Sequence, residues 1–346
     1  MAYTTIDKST DNFSTILYTG NNTYPRSLTG FGHQPDFAWF KHRGIAYWHQ
    51  TYDSVRGTGT GGGVLYTNRQ DAQDDTYKVN SFDSDGVTIP SALGAINDSG
   101  NVVGWSWKAN GSSTSSNSDG DITSNISANT TAGFTVGKFT GTGSTSTVGT
   151  GLSDTDIVFL KNRGRASTNW VVYHKLIDGS YDYNYLNNNN AGANSALTHT
   201  MTNSFKVGTN YDTNYSSDEY IFYAWQSIKG FSKFGKYTGN GDNDGPMIFT
   251  GFKPALVITK RFDGAGDWAM MDHKRPNEFN VVQNYLKAQE VDAEQTDDSF
   301  NIDIVSNGFK CRYNNGNYNA SGGSYIYMAW AINPFVSSGG VPTVAR

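Results

Sequence analysis

Ile157-Val158-Phe159-Leu160-Lys161 is an apolar run closed by a lysine, flanked by Ser-Asp-Thr-Asp on one side and Asn-Arg-Gly on the other. It is too short for a helix and rich in β-branched and aromatic residues, so it reads as a strand. Apolar on both faces, it fits a central strand covered by a second sheet. The same form recurs at Phe37-Ala38-Trp39-Phe40-Lys41 and at Leu256-Val257-Ile258-Thr259-Lys260.

Working outward, each run sits in the same frame of marks. Tyr18-Thr19-Gly20, Phe139-Thr140-Gly141 and Tyr237-Thr238-Gly239 precede the runs, spaced by 121 and 98 residues. Trp48, Trp170 and Trp268 follow them, spaced by 122 and 98. Val102-Val103-Gly104-Trp105-Ser106-Trp107, Tyr220-Ile221-Phe222-Tyr223-Ala224-Trp225 and Tyr325-Ile326-Tyr327-Met328-Ala329-Trp330 then close each unit. Marks that recur in fixed order define an internal repeat. Short apolar runs alternate with turn dipeptides such as Asp85-Gly86 and Asn307-Gly308. The expected fold is therefore all-β, with three tandem β-sandwich repeats, jelly-roll or immunoglobulin-like, of about 100 residues each. The best helical candidate, Asn284 to Glu294, is short.

These marks predict an N-terminal segment over 1–12, repeat one over 13–107, repeat two over 134–230, repeat three over 231–335 and a tail over 336–346. Residues 108–133, dominated by Ser, Thr, Asn and Gly, read as a linker with little to bury. Repeats two and three, joined by the short aromatic stretch Ile228–Phe234, are expected to pack together, and repeat one to stand apart. A fragment beginning at residue 134 is then expected to fold alone.

Composition supports a folded chain whose solubility rests on uncharged polar residues. Of the 346 residues, 36% are hydrophobic and 16% charged, yet 14% are aromatic, with 21 Tyr, 19 Phe and 8 Trp. Each aromatic can bury on the order of 150–250 Å², so a modest number builds a core. The net charge of −5 and the lack of a basic cluster argue against a nucleic-acid partner. No run reaches the roughly 18 apolar residues of a membrane span. The polar stretch Met1–Asp11 lacks the apolar core of a signal peptide.

No motif in the chain carries catalytic chemistry, and no catalytic, cofactor or metal residue is assigned. The six histidines, His33, His42, His49, His174, His199 and His273, form no metal-ligand pattern. His174 and His273 are expected to be hydrogen-bonded at strand ends. Cys311, the single cysteine, is expected to be a buried strand residue. Asn240, Asp242, Asp244 and Gly245 resemble the start of a calcium loop, but the twelfth position is Gly251, so a turn is the better reading. Gly57 to Gly63 has no Lys-Ser/Thr after it and reads as a loop tip, not a phosphate cradle. Asn21-Asn22-Thr23 and Asn110-Gly111-Ser112 match the glycosylation triplet but follow from composition. Lys41/Arg43, Lys161/Arg163 and Lys260/Arg261 could bind an anionic glycan; the charged end of a buried strand is favoured. Trp48, Trp170 and Trp268 could stack on sugars; a core anchor is favoured. The ligand-binding residues stay open.

The opening Met1-Ala2-Tyr3-Thr4-Thr5-Ile6-Asp7 and the stretch Gln34–Lys41 resemble virion proteins of marine tailed phages. So do Asp53-Ser54-Val55-Arg56-Gly57, Ser81–Gly86, Trp105–Gly111, Ser232–Gly235 and Ser324–Ala329. The resemblance extends from Met1 to about Phe335, to a repeated domain of undefined function found in structural and tail-fibre-like proteins. It implies a non-enzymatic virion component, tail- or fibre-associated, with its loops turned to a host surface. Capsid decoration or head fibre is the alternative, and a carbohydrate-binding module the second alternative. It also implies that the partners are other virion proteins and further copies of the chain, with a host glycan as a third kind of contact, and it carries over no catalytic residue. An oligomer is expected on particle grounds.

Overall fold

The computed structural model describes residues 3–90, 94–276 and 280–343. Nearly all regular structure is β; the described helices are a single turn at Gly94–Asn97 and two 3-10 turns. Residues 284–294, the expected helix, instead carry the short strand Leu286–Lys287, paired with Ala269–Met270. The pairing wins there because Tyr285, Leu286 and Ala288 are buried in the sheet layers.

Three successive stretches build a main antiparallel sheet with one strand order. In the first, the opening strand Phe13–Gly20 pairs with the closing strand Gly100–Trp107, which pairs with the lysine strand Phe37–His42. Gln50–Asp53 and Gly63–Tyr66 follow outward. The second repeats this order with Phe134–Thr140, Glu219–Trp225, Ile157–Asn162, Trp170–His174 and Asp182–Tyr185. The third uses Ser232–Thr238, Ser324–Pro334, Phe252–Arg261, Ala269–Asp272 and Leu286–Lys287. A small sheet covers the outer face of each: Arg26–Thr29 with Gly86–Ile89, Ser146–Gly149 with Ser204–Val207, and Met247–Phe249 with Gly308–Cys311. Two of these small sheets need glycine at one spot. A Cβ on Gly86 would lie 1.8 Å from the Leu28 carbonyl oxygen, and one on Gly308 would lie 2.0 Å from that of Ile248.

Side-chain alternation explains why the lysine strands are apolar on both faces. Ala38 and Phe40, Val158 and Leu160, and Val257 point into the core of their own sandwich. Phe37 and Trp39, Ile157 and Phe159, and Leu256 and Ile258 point the other way, into one core shared by all three sheets. At its centre Trp107, Trp225 and Trp330, one from each closing strand, form a triangle with ring centroids 6.0, 5.2 and 6.1 Å apart.

The three sheets close on themselves through equivalent contacts. Gln73 N–H donates to the Arg163 carbonyl (2.8 Å), Gly192 N–H to that of Phe262 (2.7 Å), and Glu294 N–H to that of Arg43 (2.7 Å). Each acceptor lies two residues past the lysine of the sheet it belongs to, so the first sheet holds the second, the second the third, and the third the first. Indole N–H groups reinforce two of these seams, from Trp170 to the Tyr66 carbonyl and from Trp268 to that of Tyr185, both at 2.9 Å.

This ring corrects two expectations. The first stretch does not stand apart, because Phe37, Trp39, Trp105 and Trp107 form an apolar inner face that a lone sandwich would leave in water. Residues 108–133 are not an unpacked linker either. Ser115–Asn117 and Ser124–Asn129 extend the second sheet by two strands, with Ile122, Ile126 and Ala132 buried. The alternation Ile122, Ser124, Ile126 supplies one apolar face that a composition rich in Ser and Asn conceals.

Candidate functional site

The repeated lysines, arginines and two of the three tryptophans turn out to be structural. Lys41, Lys161 and Lys260 are each fully buried. Their ammonium groups donate to main-chain carbonyls at or beyond the strand end: His42 at 2.9 Å, Thr168 at 2.7 Å and Arg261 at 2.5 Å. Burial pushes their pKa values down to about 8, about 7 and about 7, against smaller pulls from nearby carboxylates. They cannot touch a glycan. Their arginine companions are paired, Arg43 with Glu294 at 2.6 Å, Arg163 with Glu219 at 3.3 Å and Arg261 with Asp263 at 2.8 Å.

The tryptophan marks divide. Trp170 and Trp268 are buried anchors, but Trp48 is 42% exposed. The residue opposite Lys161 is Trp170, whereas one step beyond the pair Phe40–Gln50 the partner of Lys41 is His49. A one-residue offset sends a strand side chain to the opposite face. His49 takes the buried place, accepting a hydrogen bond from the Trp39 indole at 2.9 Å. Burial holds its pKa well below the ordinary histidine value.

Other candidates are committed within the fold. His174 shares a hydrogen bond with the Asn184 side chain (3.0 Å), and burial lowers its pKa to about 4. His273 lies 3.2 Å from the Ala255 carbonyl. Cys311 is buried, and its thiol pKa is pushed up to about 12. Asn240, Asp242 and Asp244 bond to one another's main chain in a turn, and Lys310 pairs with Asp244 at 2.9 Å. In the Gly57–Gly63 loop, the amides of Gly61 and Gly63 already donate to the Asp75 carboxylate at 3.0 and 3.1 Å. Among the described residues, no group of three or more His, Cys, Asp or Glu stands close enough to hold a metal ion. No helix among them is long and apolar enough to cross a membrane.

Two exposed groups of aromatics and arginines stand at the pole where the lysine strands end, while Phe249, Phe335 and Val341 are exposed elsewhere. Trp48 is covered on one face by the Arg69 guanidinium, 3.8 Å from the ring centroid, and Arg69 is itself ion-paired with Asp71. Arg69 and Asp71 line a cleft of about 470 Å³ between the first and second sheets, together with Asn68, Gln70, Asn187 and Asn188. A second cleft of about 230 Å³ opens on the second sheet, walled by Tyr173, Tyr183, Tyr185, Leu197, Asn210 and Asp212. Tyr183 and Tyr185 meet edge to face at 5.5 Å. Burial first, then Tyr183 and Asp212, push the Tyr185 phenol up to about 12, so it remains a neutral hydrogen-bonding group.

Asn169 joins the two clefts. Its main-chain and side-chain N–H groups donate to Asp212 at 2.6 and 3.0 Å, and its side-chain oxygen accepts from Gln70 at 2.7 Å and Asn187 at 3.0 Å. Beside them the exposed rings of Tyr211 and Tyr215 lie 4.3 Å apart, tilted by 39°, with Arg165 over both and ion-paired with Asp218 at 2.8 Å. These tyrosines belong to the second sheet's loops only. The matching loop of the third holds Gly316 and Ala320, whose main-chain atoms meet the Tyr325 hydroxyl as those of Tyr211 and Tyr215 meet that of Tyr220.

The tyrosine cleft was not singled out from sequence, although Tyr181-Asp182-Tyr183-Asn184-Tyr185 places three aromatics on one strand face, in one stretch of the three. A comparison with curated proteins and one with solved structures each gave no match. One family does match, over residues 8–334, which takes in all three sheets and both clefts; the chain belongs to the domain of unknown function DUF7483.

Proposed function

We propose that the chain is a virion structural protein of a tailed bacteriophage, tail- or fibre-associated, that turns its loop pole to the host-cell surface and acts by binding, not catalysis. The observation that carries this reading is a division of labour within the molecule. The three sheets share a rigid core, while the exposed aromatic and arginine pairs are gathered on non-repeating loops at one pole, the usual place for binding residues on a rigid scaffold. The two described ends of the chain lie at the other pole. Tyr3 bonds to the Gly251 carbonyl (2.7 Å), at the start of the third lysine strand, and Ser338 bonds to Asp7 (2.6 Å). A body held at that pole presents its clefts outward. The cleft carboxylates favour binding over hydrolysis, since Asp71 is held by Arg69 and Asp212 by Asn169.

The ring of three equivalent sheets also suits a threefold position on a capsid shell, which keeps a decoration protein as the second reading. Cryo-EM of the particle, with this chain located in the density, tests both. Density on the tail or its fibres, loop pole outward, is the expected result. Density on the shell would replace attachment with decoration, and no density would remove the virion assignment.

A further inference from the structure

We infer that the two clefts joined by Asn169 form one binding site for a neutral oligosaccharide. One sugar ring would stand against Tyr183 and Tyr185, and its neighbour among the amides of the first cleft. The inference rests on the attachment reading above and names its ligand class.

Size argues first. Clefts for drug-sized ligands run to roughly 300–1,000 Å³. The tyrosine cleft, at about 230 Å³, suits a single ring, and the amide cleft, at about 470 Å³, leaves room for continuation of the chain. Chemistry argues next. A sugar ring offers an apolar C–H face and a rim of hydroxyls, each able to donate and accept. The tyrosine cleft supplies aromatic surface with polar Asn210 and Asp212 at its edge. The amide cleft supplies Asn68, Gln70, Asn187 and Asn188, whose side chains both donate and accept. Nothing comparable lines an apolar partner site.

Charge decides between glycan classes. The only cation lining either cleft among the described residues is Arg69, and its charge is already met by Asp71. Asp212 adds a further carboxylate, so the combined lining is net negative and disfavours sialylated, sulfated or uronic-acid sugars. The paired Arg165 and Arg69 make the neighbouring aromatic surfaces electrically balanced as well.

The site also has a built seam. Gln70 comes from the first sheet's loops, while Asn169, Asn187 and Asp212 come from the second's, and Asn169 bonds to the other three. The clefts are thus held in one geometry before any ligand arrives, which lowers the ordering cost of binding.

The test uses the full chain, labelled, on an array carrying neutral, sialylated, sulfated and uronic-acid oligosaccharides, and in parallel on host cells. Two blocking variants place an indole at exposed alanines that line the clefts, Ala166→Trp in the amide cleft and Ala196→Trp in the tyrosine cleft. Unchanged urea midpoints show that both still fold. Binding to neutral glycans of two or more rings, weakened at least tenfold by each variant, is the expected result. Binding confined to acidic glycans, or undiminished by the variants, overturns the site. If cells are still bound in that case, the attachment reading survives alone. Glycan binding that both variants abolish, with no adhesion of the chain to cells, keeps the site and removes the attachment reading.

Discussion

The shared core and the loop pole are built by opposite rules. In the core the main marks recur: three closing tryptophans, three buried lysines, three carbonyls gripped by the next sheet, with His49 in the place that Trp170 and Trp268 hold in the other two sheets. At the pole much less recurs. Tyr211 and Tyr215 have glycine and alanine as counterparts in the third sheet, whereas Tyr185 and Tyr183, set on strands, have Tyr66 of the first sheet and Tyr285 of the third in their places. Recurrence here marks what closes the ring, and departure from it marks what the ring presents. The comparison can be broken at several points.

The largest effect is expected from cutting the ring. A fragment of residues 134–335 keeps two sheets but loses Phe37, Trp39, Val103, Trp105 and Trp107 from the shared core. It also loses the acceptors of Glu294 N–H and Trp170 Nε1–H, the Arg43 and Tyr66 carbonyls. Two of three faces of a common core cannot stay dry, so the fragment should be insoluble or lack fixed tertiary structure. Near-ultraviolet circular dichroism and size-exclusion chromatography check this. A soluble, cooperatively unfolding fragment would mean that the sheets are independent and that the core is only an interface.

A second test asks whether the lysines are as dry as their burial implies. Their folded pKa values, about 8, about 7 and about 7, lie below the ordinary lysine value near 10.5. Across that interval the unfolded chain binds more protons than the folded one, so stability rises with pH. The contribution is complete only above about 10.5 and is lost as pH falls toward 7. Buried tyrosines such as Tyr52 and Tyr223, pushed well above their usual value, reverse the slope above about 10. The unfolding free energy from urea titrations should therefore increase from pH 7 to pH 9.5, on the order of 1 kcal/mol per pH unit for each lysine. Lys161→Met should flatten part of that rise. A profile without slope would show that the amines are hydrated.

How far the sequence carried the fold follows from the kind of signal each element leaves. The lysine strands and closing strands were legible because a short apolar run with two buried faces, bounded by turn residues, fits little besides a central strand. The ring was not, since alternation along Phe37–Phe40 shows that both faces need cover but not whether a second sheet or a neighbouring sandwich provides it. The strand Ser124–Asn129 was hidden because Ser and Asn dominate its composition, leaving Ile126 within it and Ile122 just before it as sparse apolar marks. The clefts were least legible. Gln70 and Asn169 are 99 residues apart and meet only once the first and second sheets are closed on each other.

Trp48 gives the finest test of the comparison, because by sequence it is the counterpart of Trp170. Both follow a lysine strand, and both are tryptophan. The spacings of 121 for the opening marks and 122 for the tryptophans differ by the one residue that separates Trp48 from His49. Trp170 is fully buried, and its indole donates to the Tyr66 carbonyl, so Trp170→Ala should cost about 3–5 kcal/mol. Trp48 touches Arg69 and Tyr66 at the surface and is 42% exposed. An exposed cation–π contact is worth roughly 0.5–1 kcal/mol, so Trp48→Ala should cost no more than about 1 kcal/mol. Urea denaturation of the two variants under identical conditions measures the gap. Equal losses would mean that Trp48 is a core anchor after all and that the offset to His49 has no structural consequence. A gap of several kcal/mol would establish that a single-residue slip in one repeat released an aromatic from the core and placed it at the edge of the cleft.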